Sequence, residues 1–145
     1  MTSPFLRRKA RQYAVQGLYQ WQMTEAPINE IIDEFMADNS PKKFDVTYFQ
    51  EILHGVITQL DSVDKTLEPH AKERTLKSLD PIELAILRLA TFELLFKLDV
   101  PYRVIINEAV ELAKRFGATD GYKFVNGVLN HLAQQTRAVE ATNKK

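Results

Sequence analysis

The sequence predicts an all-α domain of six or seven helices. Three observations carry that prediction. Apolar residues recur at spacings of three and four along nearly the whole chain, the signature of amphipathic helices. No stretch alternates apolar and polar residues as a half-buried strand does. Prolines and capping residues stand at the joints between apolar stripes, where helices begin and end.

The elements follow in order. Ser3-Pro4 pairs a capping side chain with proline at the first helical position. Ala10, Ala14, Leu18 and Trp21 then form one helix face. Pro27 opens a second helix with Ile28, Ile31, Ile32 and Phe35 on one side. Asp45 caps a third, whose stripe runs unbroken from Phe49 through Ile52, Leu53, Val56, Leu60 and Val63 to Leu67. Pro41 and the stretch 69–80 are the clearest joints. Asp80-Pro81-Ile82-Glu83 reads as a capping box. The helix it opens is apolar on most sides, as the central helix of a bundle is. Val100-Pro101 ends that helix and begins the next, whose stripe is Ile105, Ala109, Leu112, Ala113 and Phe116, with Gly117 as its stop. Asp120 caps a last helix bearing Phe124, Val125, Val128, Leu129 and Leu132. Residues 1–137 make one domain, and 138–145 a polar tail that frays.

Composition narrows the chemistry. The chain has 145 residues, of which 45% are hydrophobic and 26% charged, the balance of an ordinary globular domain. It has no cysteine, so disulfides, thiolate metal sites and cysteine nucleophiles are excluded. The richest apolar stretch, from Ile82 to Leu98, is interrupted by Glu83, Arg88, Glu93 and Lys97, so no membrane span is expected. The N-terminus has no apolar core of a secretory signal, so a cytoplasmic protein is expected. His54, His70 and His131 offer no zinc-peptidase spacing. Glu51 and His54 match half of a di-metal carboxylate motif, without a second copy. No phosphate-binding glycine loop and no nucleophile elbow occur. No catalysis, metal or cofactor is expected.

What remains is recognition. The 19 basic residues balance the 19 acidic ones, but unevenly along the chain. Residues 1–24 carry Arg7, Arg8, Lys9 and Arg11 and no acid, whereas residues 25–40 carry Glu25, Glu30, Asp33, Glu34 and Asp38 and no base. Cations at a helix N-terminus oppose the helix dipole, so this cluster is mildly costly to the fold. Neutralising phosphates is the general use of such a cluster. Arg103, Lys114, Arg115 and Lys123 form a second basic set beside Tyr102, Tyr122 and Phe124, a mixture suited to single-stranded RNA. The alternative is a helical protein–protein interaction module or homodimer whose arginines bind no specific RNA.

Longer motifs decide further. The run Arg7-Arg8-Lys9-Ala10-Arg11-Gln12-Tyr13-Ala14, continuing to Trp21, resembles the opening of the NusB family of bacterial transcription antitermination factors. Leu87-Arg88-Leu89-Ala90, the stretch from Val100 to Lys114, and Lys123-Phe124-Val125-Asn126-Gly127 agree in order and spacing. With Tyr48-Phe49 and Gly55-Val56, the resemblance spans residues 5 to 133. It implies two packed three-helix bundles and no catalysis. It also implies binding of the boxA element of nascent RNA together with NusE, a small-subunit ribosomal protein. That pair joins other Nus factors on RNA polymerase and supports ribosomal RNA operon transcription. By position, the RNA contacts implied are Arg7, Arg8, Arg11, Tyr102, Arg103 and Lys123. The NusE surface implied includes Tyr19 and Glu83, with Arg88 nearby. His70 departs from a tyrosine found in some relatives.

Overall fold

A computed structural model describes residues 3–71 and 74–142, with the backbone alone for Ala141 and Thr142. Among the described residues there are eight α-helices and no strand. They are α1 (Pro4–Thr24), α2 (Ile28–Asp38), α3 (Val46–Thr58), α4 (Leu60–Leu67), α5 (Pro81–Phe96), α6 (Tyr102–Phe116), α7 (Gly121–Thr136) and α8 (Ala138–Thr142). Short 3-10 turns at Glu68–His70 and Leu76–Ser78 bridge α4 to α5. Helices α1, α2 and α3 pack as one bundle and α5, α6 and α7 as a second. Helix α5 joins the two, because it also packs against α1, α3 and α4.

Most starts are those the sequence predicts. The Ser3 hydroxyl accepts the Leu6 N–H at 3.1 Å, with Pro4 at the first helical position. Asp45 accepts the Tyr48 N–H at 3.0 Å and starts α3. Asp80 accepts the N–H groups of Ile82 and Glu83 and starts α5. Each cap satisfies donors that the first helical turn leaves orphaned. In α5 every residue from Glu83 to Leu94 is buried except Arg88, which accounts for its apolar circumference. Gly55 of α3 allows α5 to approach: a Cβ there would stand 2.1 Å from Cζ of Phe92.

Three expectations are corrected. The stripe from Phe49 to Leu67 is two helices, broken at Gln59 (φ −104°, ψ 24°). The Gln59 N–H still reaches the Gly55 carbonyl and its own carbonyl still accepts from Val63, both at 2.9 Å. These two bonds span the break, and Val63 and Leu67 are buried. Asp120 does not cap α7 with its side chain; its backbone is left-handed (φ 67°) and its carboxylate makes no capping bond. Residues 138–142 are not a frayed tail but a short helix, and Arg137 before it is buried. Residues 143–145 of the expected tail lie outside the described residues.

Candidate nucleic-acid interface

The basic cluster on α1 splits by helical phase. Arg7 lays its guanidinium over the Tyr48 ring, 3.9 Å from the centroid, a stacking that guanidinium groups favour. Its Nε lies 3.9 Å from the Asp45 carboxylate, and a third of the side chain is exposed. Arg8 is half exposed and forks onto Glu108 of α6 at 3.1–3.2 Å. Arg11 sits where the sequence does not predict it. Its guanidinium is buried and forks onto the buried Glu93 of α5 at 2.8–3.1 Å. The Tyr48 hydroxyl donates to the same carboxylate. Burial pulls the Arg11 pKa down, but the Glu93 hydrogen bonds and charge outweigh it and hold the group above its ordinary value. Burial, then the Glu93 charge, pushes the Tyr48 hydroxyl up. The structure thus places Arg11 in a buried ion pair rather than among the exposed cations of this face.

Two shallow grooves flank this end of α1. One lies between α1 and α6 and is lined by Arg8, Gln12, Glu108, Glu111, Lys114 and Arg115. The other lies between the start of α1 and the α5–α6 turn and is lined by Pro4, Arg7, Arg11, Pro101, Val104 and Glu108. Glu108 borders both, so they meet there. Tyr102 is half-buried against the core and Arg103 is exposed at the start of α6. Arg103 and Lys114 are three turns apart on one helix face, about 16 Å along the axis. Lys114 Nζ stands 4.9 Å from the Tyr122 ring centroid, which carries the basic surface onto α7. Lys123 is exposed there, 3.6 Å from the Asp120 carboxylate. Arg7, Arg8, Arg103 and Lys123 thus lie at the helix starts that border this surface, with Glu108 and Asp120 set among them as acids.

The second expected surface is only partly assembled. Arg88 forks onto Asp64 of α4 at 2.9 Å and donates to Gln22 of α1 at 3.0 Å. Tyr19, half-buried, is one turn before Gln22. A groove lined by Trp21, Met23, Lys77, Leu84 and Arg88 opens beside them, with Met23 exposed. Glu83 is not with this group. It lies five residues before Arg88, about 140° around the helix. Its carboxylate is buried against the start of α7, where a Cβ on Gly121 would stand 2.2 Å from it. Burial, then the Asp80 charge, raises its pKa, and Arg74 opposes them. Sequence reasoning missed Tyr48, Glu93 and Glu108 as partners of the arginines.

The comparisons with known proteins agree with this architecture. The NusB family model matches residues 8–134. The chain belongs to the NusB family. A relative named transcription antitermination protein NusB, from Pseudomonas savastanoi pv. phaseolicola, is 54% identical over 139 residues, covering 96% of this chain and 84% of that protein. Its namesake in Teredinibacter turnerae is 52% identical over 134 residues, covering 92% of this chain and 91% of the other. Among solved structures, T. maritima NusB superposes with a TM-score of 0.80 at 30% identity, covering 93% of this chain and 94% of its own. A NusB chain solved with NusE and double-stranded RNA has a TM-score of 0.81 at 23% identity, covering 92% of this chain and 99% of that one, and shows the shared fold. Among the described residues, no helix is long and apolar enough to cross a membrane.

Proposed function

We propose that this chain is an RNA-binding adaptor of transcription antitermination. It holds the boxA element of nascent single-stranded RNA together with NusE, and so supports ribosomal RNA operon transcription in the cytoplasm. Other Nus factors and RNA polymerase complete the assembly. The observation that carries the reading is the run of exposed cations at the starts of α1, α6 and α7, linked through the α1–α6 groove and Lys114. Family membership supports the partner.

Arg7, Arg8, Arg103 and Lys123 neutralise phosphates, and Tyr102 offers its ring edge to a base. Arg11 serves the same face from inside, since Glu93 and Tyr48 lock it and Tyr48 carries Arg7. Phosphate contacts position an RNA but discriminate little between sequences. NusE docks at the Tyr19–Arg88 corner and adds its own contacts. Two weak halves on one RNA gain affinity through effective concentration. Glu83, buried beside α7, contributes by holding the α5–α7 junction rather than by touching the partner.

Asp120 tests the RNA face. Its carboxylate sits beside Lys123 and repels a phosphate arriving there. Asparagine tolerates the left-handed backbone as well as aspartate does, so Asp120→Asn removes charge and spares the turn. Asp120→Asn is expected to tighten RNA binding several-fold, and Lys123→Ala to weaken it, with stability changed by less than about 1 kcal/mol in each. Fluorescence anisotropy with a short RNA reads both. No change in either variant would detach the start of α7 from the RNA.

A further inference from the structure

The turn that leads to Tyr102 and Arg103 has backbone bonds of its own but no local side-chain cap. Helix α5 has no basic residue in its last turn, and Pro101 at the cap of α6 offers no side-chain acceptor. Both ends are served from the far end of the chain. The buried Arg137 guanidinium donates through Nε to the Leu94 carbonyl at 2.8 Å. One terminal nitrogen donates to Val100 at 3.0 Å and Glu140 at 2.7 Å, the other to Lys97 at 3.0 Å and Glu93 at 3.3 Å. A guanidinium has five N–H donors, and all five are used. The second Glu140 oxygen accepts the Tyr102 N–H at 3.0 Å, the first of the orphaned donors of α6. Burial pushes the Glu140 carboxyl up, but this N–H and the Arg137 hydrogen bond and charge together outweigh it and hold the group below its ordinary value.

We propose that Arg137 and Glu140 are positioning residues for RNA binding: one ion pair at the start of α8 caps the end of α5 and the beginning of α6, and so fixes where Tyr102 and Arg103 meet the RNA. The proposal rests on the reading of α6 as part of the RNA face. It makes the C-terminal helix part of the RNA site without touching RNA. The physical logic is preorganisation. Without the clamp, the 97–101 turn and the first turn of α6 sample more conformations, and Arg103 must be ordered again at binding.

A thermodynamic cycle tests it, with a boxA-like RNA as the probe. Glu140→Ala leaves Arg137 its four carbonyls and removes the acceptor for Tyr102 together with the Arg137 ion pair. It is expected to weaken RNA binding about three- to fivefold, the scale of one lost cap. In an Arg103→Ala background the same change is expected to have a smaller effect, since only the Tyr102 contact is left to position. In a Lys123→Ala background it should keep its full effect, because α7 is not positioned by the clamp. Amide exchange read by NMR without RNA should show Tyr102 exchanging faster in Glu140→Ala, with the core amides unchanged. Equal losses in all backgrounds would reduce the pair to general stabilisation and overturn the proposal. So would an unchanged Tyr102 amide, or full RNA affinity in Glu140→Ala while Arg103→Ala weakens binding. If Arg103→Ala and Lys123→Ala both bind as the parent does, the RNA face itself is wrong and this proposal falls with it.

Discussion

Arg11→Ala is expected to destabilise the protein by about 3–5 kcal/mol, because it strands the buried Glu93 carboxylate without its counter-ion. Three groups from three helices meet at that point: Arg11 of α1, Tyr48 of α3 and Glu93 of α5. The Tyr48 O–H can shield part of the stranded charge but cannot neutralise it. Lysine would be a poor substitute, since one ammonium cannot reproduce the two parallel bonds of the guanidinium fork. Denaturant unfolding reads the effect directly as a lower midpoint at an unchanged slope. Glu93→Gln, which keeps the shape, should lose less than Arg11→Ala. If Arg11→Ala cost under about 1 kcal/mol, the level of an exposed pair, the group would be exposed in solution and available to RNA after all.

The second large effect is ionic. With Arg11 sealed, Arg7, Arg8, Arg103 and Lys123 remain as the phosphate contacts. At about 0.7 counterions released per contact on a single strand, log affinity should fall against log salt with a slope near −3. Between 50 and 200 mM salt that is a loss of about 60-fold. Arg8→Ala should flatten the slope by about 0.7. Arg8 must also exchange Glu108 for the phosphate, so the intrinsic contact is partly cancelled and its free-energy effect should be smaller than that of Arg103→Ala. A slope near zero would remove the basic surface from the mechanism.

Much of this molecule is legible in the chain because its signals are local. Ser3-Pro4, Asp45 and Asp80-Pro81 start helices through bonds spanning two or three residues. The break at Gln59 is not legible, since apolar spacing runs through it and Gln59 itself still bonds to Gly55 and Val63. Arg137 is missed for a different reason. It stands in a polar stretch, and the carbonyls that bury it lie about 40 residues earlier. Arg11 could have been found. It shares a helix face with Ala14, Val15 and Leu18, so the phase that predicts the core also turns this arginine inward. A run of cations hides that distinction, because composition does not tell which member faces the solvent. Glu83 and Arg88 read as neighbours in sequence but point to different partners, α7 and α4.

The most direct measurement is RNA binding by fluorescence anisotropy, with a boxA-like oligonucleotide and a scrambled one, each with and without NusE. A two-surface adaptor should prefer boxA, and NusE should strengthen both the affinity and the preference. Equal, weak binding to both RNAs, unmoved by NusE, would contradict it and leave a protein-interaction module built on the same helices.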